Sequence, residues 1–240
     1  MIQDKILYSI FLPAIVPIEI YNNALLLAPL DKGTCIYVLE NKNGLITNCK
    51  DEQFLNETKK IYKKLFKEKD KGLYVYYETP IAWEFNTFYN TVVGISIANK
   101  ALNKEEIIIK NIIKELIEFF KNENMMDLNL RFYINKGMNL LKLSNFSIKK
   151  IDIATTNMLI ISITKYIKNF KLLKKEKLKE LIKEKVNDKT HKIVSENCDF
   201  IVCKKRDLVD ILEKIINGVE PERILISRIY KKGIQVYFFR

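Results

Sequence analysis

Three sets of side chains have the types that chemistry requires. Pro29-Leu30-Asp31 followed by Glu40-Asn41-Lys42 matches the PD…ExK pattern, in which two carboxylates and a lysine hold Mg²⁺ and activate water. If Lys32-Gly33 makes a tight turn, Asp31 stands at the turn and Glu40 lies about six residues along the next strand, roughly 20 Å away. A shared metal needs its carboxylates within about 5 Å of one another, so the spacing argues against a nuclease. His191 is the only imidazole, which excludes multi-histidine metal sites, and no nucleophile stands at a readable spacing from it. Cys35, Cys49, Cys198 and Cys203 form neither CxxC pairs nor a dense disulfide framework, and read as buried free thiols in a reducing compartment. No metal set and no catalytic residue is assigned from these patterns.

Glycine spacing removes another class. The seven glycines stand at 33, 44, 72, 94, 137, 218 and 233, and the closest two are eleven residues apart. A glycine-rich phosphate cradle needs at least two glycines within about six residues, because the backbone must approach the anion closely. No such loop exists here in standard form.

The elements that would position any site follow from periodicity. Leu25–Pro29 and Cys35–Glu40 read as strands on either side of Asp31-Lys32-Gly33, and Asn43-Gly44 reads as a hairpin turn into Leu45–Thr47. A helix is predicted over 52–69, a strand over 73–77, an apolar helix over Thr87–Leu102, and a further helix over 104–121 capped by Asn103. Beyond these come strands at 128–134, 140–143 and 148–153, then helices at 157–170 and 174–186. The end reads as strand 200–203, helix 206–217, and a strand pair at 224–229 and 234–239. This order predicts an α+β fold in two lobes dividing near residue 125, as 1–125 and 126–240.

The 240-residue chain carries a formal charge of +12, with 36 Lys and only five Arg. Between Lys136 and Lys192, fifteen lysines face five acids, a net of +10 from the sequence. Tyr133, Phe146, Tyr166 and Phe170 lie among or beside them, so this region is the candidate surface for nucleic acid, weighed against an ordinary solvated helical face. The apolar run 6–20 is interrupted by Pro13, Pro17 and Glu19, and no run reaches the ~18 residues of a membrane span. A cytoplasmic protein without membrane contact is expected.

The most informative stretch is 73–102. The strand LYVYYETP, a proline, a loop and a small-residue apolar helix resemble the ATP-loop region of the GHMP kinases, the superfamily of galactokinase, homoserine kinase and mevalonate kinase. Their pattern is Pro-x-Gly-x-Gly-Leu-Gly-Ser-Ser-Ala; this chain reads PIAWEFNTFYN from Pro80. Ala82, Glu84 and Asn86 stand where the family has glycines, Phe85 where it has Leu, and Thr87 where it has Ser. The closing segment 200–239 resembles the superfamily's last β-α-β-β, and its second glycine-rich loop would fall at Ser195-Glu196-Asn197, again without glycine.

The resemblance implies a ribosomal protein S5 domain 2-like N-terminal lobe, a ferredoxin-like C-terminal lobe, and a small-molecule ligand in the cleft between them. It implies ATP and Mg²⁺ as cofactors, with Glu84, Asn86, Thr87 and Phe88 at the nucleotide loop. Glu84 counts against phosphoryl transfer. Two like charges about 4 Å apart repel by on the order of 1–4 kcal/mol, so a phosphate would compete with the chain's own anion. Glu84 is read as satisfying the amino end of the helix. The expectation is therefore a divergent, catalytically degenerate GHMP-kinase-like protein; the alternatives are a basic nucleic-acid-binding protein and a non-catalytic scaffold subunit.

Overall fold

A computed structural model describes residues 5–21, 23–40, 44–67, 71–120, 137–145, 147–152, 155, 157–165, 183–187 and 190–239. Two long strands, β1 (Ile6–Tyr21) and β2 (Ala24–Glu40), pair antiparallel and form the spine of a first sheet. Along β1 Ile10, Leu12, Ala14, Val16 and Ile18 face the core, and from Leu12 to Ile18 the residues of the other face are buried as well, so the strand is covered on both sides there. Proline cannot donate to a ladder, and the pairing shifts register at Pro13/Ile15 and Pro17/Glu19.

The predicted turn at Asp31-Lys32-Gly33 is absent: β2 runs straight through it. Gly33 lies opposite Pro13, and a Cβ on it would fall 2.0 Å from the Leu12 carbonyl oxygen. The glycine permits close strand approach and does not bend the chain. Nor does Gly44 close a hairpin onto β2; β3 (Gly44–Thr47) runs parallel to β4 (Lys71–Tyr77) at the sheet edge. Residues 41–43, including Asn43, lie outside the described residues.

Helix α1 (Glu52–Leu65) starts where Asp51 accepts the Phe54 N–H at 2.7 Å. Helix α2 (Thr87–Leu102) is buried along most of its length against β1, β2 and α1. Gly94 lets it sit close: a Cβ there would lie 2.2 Å from Ile36 Cδ1 and 2.9 Å from Leu12 Cδ1. Asn90 Nδ2 donates to the Leu12 and Pro13 carbonyls, tying the helix to the irregular part of β1. Asn103 ends α2, with its N–H on the Asn99 carbonyl, and does not cap the next helix. Lys104 turns at φ 56°, which delays α3 to Ile109–Phe119.

The predicted strand 128–134 and the boundary at residue 125 lie outside the described residues. Past that stretch, β5 (Met138–Lys142) pairs with β2 and with β6 (Ile148–Ile151). Met158–Thr164, predicted as part of a helix over 157–170, is strand β7, an interior strand of a second sheet. Its run MLIISIT is buried on both faces, and a continuously apolar segment carries no periodicity that separates helix from strand. The helix predicted over 174–186 is likewise overturned in its described part: β8 (Lys183–Asn187) pairs with β9 (Thr190–Val194), where an outer strand accommodates lysines.

Strand β10 (Cys198–Lys204), helix α4 (Leu208–Ile216) and strand β11 (Ile224–Arg228) complete this second sheet, in the antiparallel order β11-β7-β10-β9-β8. The order β11-β7-β10-β9 is that of a ferredoxin-like lobe, with β8 added at one edge. The last strands do not pair with each other as predicted. After β11 the chain crosses to the first sheet, where Tyr230 N–H reaches the Pro29 carbonyl, and β12 (Gln235–Phe238) pairs with β1. The two sheets thus share one core, in which Ile160, Ile193, Phe200 and Val202 join residues of β1, β2 and α2.

Gly33→Ala is expected to cost about 3 kcal/mol of unfolding free energy, the upper end of ordinary single substitutions, because the clashing atom is backbone. Gly94→Ala should cost about 1–2 kcal/mol, since the methyl ends of Ile36 and Leu12 can shift. Urea titration distinguishes them; equal midpoints for the two variants would contradict this packing.

Candidate functional site

After β4, the backbone folds tightly: Ala82 N–H donates to the Pro80 carbonyl, and Trp83–Phe85 form one 3₁₀ turn. Asn86 then adopts the left-handed conformation at φ 55°, the place where the sequence resemblance puts a glycine. Asparagine is among the few other residues that tolerate it. Thr87 opens α2, and its hydroxyl donates back to the Pro80 carbonyl at 3.0 Å, locking loop to helix. Ala82, Glu84, Phe85, Asn86, Thr87 and Phe88 are each 4% exposed or less. Phe85 meets Phe200 of the second sheet edge to face at 5.4 Å.

Glu84 does not cap α2. Its carboxylate reaches across the chain to the turn before β10, 111 residues away. Ser195 Oγ stands 2.8 Å from Oε1, the Asn197 N–H donates to Oε1 at 3.0 Å, and Asn197 Nδ2 donates to Oε2 at 3.2 Å. The turn itself is braced. Ser195 N–H donates to the Cys198 carbonyl, Lys165 Nζ donates to the Ser195 carbonyl, and Lys165 and Lys192 clamp Asp199 at 2.7 and 2.8 Å.

Among the described residues no cation pairs with Glu84. Burial therefore pushes its carboxyl above the usual range, against the pull of the Asn197 and Ser195 hydrogen bonds. Ser195 has one hydroxyl proton and two acceptors in reach, Glu84 Oε1 and the Cys198 carbonyl. Cys198 N–H in turn donates to Ser195 Oγ, so the hydroxyl is held between the carboxylate and the turn's own backbone. The Cys198 thiol is itself pushed well up by burial and then by the Glu84 charge, so it is no thiolate nucleophile.

The sequence-predicted loop residues do come together, but they face inward. The Thr87 hydroxyl is engaged by the loop's own carbonyls, and the Phe88 ring lies 6.2 Å from Phe54 in the core. Asn86 makes no side-chain cap, and its Nδ2 has no partner among the described residues. The Ser195–Asn197 turn falls where the second loop is expected. The contribution of Lys165, Asp199, Lys192 and Phe200 has no sequence signal, because it depends on strand pairing across the second sheet.

Other candidates separate. Asp31 accepts the Arg228 N–H and Glu40 pairs with Lys71, nine residues apart on one straight strand and so roughly 30 Å from each other. His191 sits in β9 opposite Val202. All four cysteines are free, and among the described residues no group of three His, Cys, Asp or Glu side chains is placed to hold a metal. Much of the Lys136–Lys192 stretch lies outside the described residues, as do Tyr133, Phe146, Tyr166 and Phe170; of its described lysines, Lys165 and Lys192 are held by Asp199. No described helix is long and apolar enough to cross a membrane.

No known protein family matches the sequence, and no curated protein matches it. Solved structures do match over nearly their whole length. A mevalonate kinase from Methanococcus jannaschii aligns at 13% identity and TM-score 0.61, covering 95% of this chain and 99% of that one. A homoserine kinase from Cytophaga hutchinsonii aligns at 10% and 0.57, covering 99% and 98%. A phosphotransferase related to the CoA biosynthesis pathway aligns at 11% and 0.63, covering 97% and 99%. The chain has the GHMP-kinase fold. At these identities the likeness is one of fold.

A group with a raised carboxyl pKa binds more protons folded than unfolded, so its contribution to stability is complete below the unfolded value and is lost as pH rises through the folded one. Wild type should therefore hold its largest stability advantage over Glu84→Gln below the ordinary glutamate value of about 4.3 and lose it as pH rises toward neutrality. Denaturant midpoints of both proteins across that range test this; a gap that is constant, or that widens with pH, contradicts it.

Proposed function

We propose that this chain is a GHMP-kinase-like protein that acts by binding, and that it does not transfer phosphate from ATP as folded here. The Glu84 bridge carries the reading. A nucleotide loop must offer backbone N–H groups and a helix amino end to a polyphosphate. In this chain, the loop is buried and holds a fixed carboxylate engaged by the facing turn. ATP and Mg²⁺, which the fold relationship suggests, do not fit the residues in this arrangement. A small-molecule ligand between the lobes is the remaining role consistent with the fold.

A second reading draws on Asn86. Its left-handed backbone and unpartnered Nδ2, at an α2 amino end without a side-chain cap, are what an anion loop would retain if Glu84 swung away. That reading makes the chain an ATP-dependent small-molecule kinase gated by the bridge.

Calorimetric titration of Mg-ATP, with a labelled-phosphate transfer assay on homoserine and mevalonate, separates the two. The first reading expects neither binding heat nor labelled product. Turnover above the protein-free background would overturn it and establish the second.

A further inference from the structure

The face of the first sheet that points away from α2 is an aromatic surface. Residues directly opposite in a ladder share a face, so the pairings give two rows across the strands. One runs Tyr237, Ser9, Tyr37, Tyr74, Ile46; the other runs Gln235, Phe11, Cys35, Tyr76. Intervening residues Ile10, Ile36, Leu73 and Val75 are fully buried, and Ile36 packs against α2 at Gly94, which fixes the direction of the first set. Tyr76 is 40% exposed and Tyr237 is 52% exposed, while Tyr37, Tyr74 and Phe11 are half-buried. Tyr37 and Tyr74 stack at 6.0 Å and 21°, and Tyr230 joins the rim with its ring 5.4 Å from Phe11.

A folded chain does not ordinarily leave this much aromatic surface open without using it. The rim charges are mainly positive. Lys5 and Lys232 are exposed on the segments that lead into β1 and β12, and Lys32 stands 4.0 Å from Glu78, the acid that faces Cys35 and Tyr37. A second copy of a +12 chain would bring like charges together at this rim, whereas a polyanion would be attracted. Aromatic rings set among lysines suit a ligand with flat π-faces and a phosphate backbone. Duplexes hide their base faces, which leaves single strands. Five strands span about 19 Å at about 4.8 Å each, room for two or three unstacked bases.

We propose that this face, built by Tyr37, Tyr74, Tyr76, Tyr237 and Phe11, binds single-stranded nucleic acid. The inference is independent of the nucleotide-loop reading and draws on none of the lysines between Lys136 and Lys192.

The test is fluorescence anisotropy with a labelled oligonucleotide of about 12 thymidines or uridines, a typical single-strand site size. Wild type should bind and weaken steeply with added salt. Tyr74→Ala and Tyr76→Ala should each lose about tenfold in affinity, while Tyr76→Phe, which keeps the ring, should bind like wild type. Lys63→Ala, on the exposed side of α1, should change affinity less than twofold. Circular dichroism and denaturant midpoints confirm that the alanine variants remain folded. The proposal is overturned by absence of binding at low salt, by equal binding of folded Tyr74→Ala and wild type, by an equal loss in Lys63→Ala, or by light scattering that shows a dimer dispersed by Tyr76→Ala.

Discussion

A buried carboxylate without a cation partner is costly to keep, and it persists only where its hydrogen bonds are met. Glu84 meets that condition by reaching into the second sheet, and this one contact sets the geometry of the candidate site. It fixes the loop after Pro80 against the turn before β10, brings Phe85 onto Phe200, and closes the amino end of α2. The Lys165–Asp199–Lys192 clamp holds the receiving turn, so both sides of the contact are pre-organised. Any function assigned to the loop must account for this carboxylate first.

Fold and chemistry come apart in this chain. Structures named as mevalonate kinase, homoserine kinase and a phosphotransferase share its backbone at 10–13% identity. A fold carries the positions of loops and strand ends; the reaction depends on what side chains stand there. At the place of the glycines this chain has Ala82, Glu84 and Asn86, and only Asn86 preserves the backbone conformation that a glycine would supply.

Local signals in the sequence were reliable where one physical cause dominated. Helix α2 runs from Thr87 to Leu102 as its apolar, small-residue pattern predicts, and α1 starts at Glu52 where the period changes. Errors arose where one residue type serves two purposes. Gly33 read as a turn because glycine permits one, yet it is there to let β1 approach; Asn103 read as a helix start yet it closes the preceding helix. The apolar run in β7 has no usable period because both faces are buried. For the site, the loop residues were legible by resemblance, while the partners of Glu84 were not. A contact spanning 111 residues leaves no local pattern, and the nearest local explanation, a charge at a helix amino end, was the wrong one.

The central claim is that the Glu84 carboxylate stands in for an external anion. It is tested most directly by titrating inorganic phosphate and ATP into wild type and into Glu84→Gly protein, with ³¹P resonance shifts as the readout and circular dichroism confirming the fold. The account predicts a saturable shift with Glu84→Gly and none with wild type. Equal binding by both proteins, or none by a folded Glu84→Gly, would contradict it.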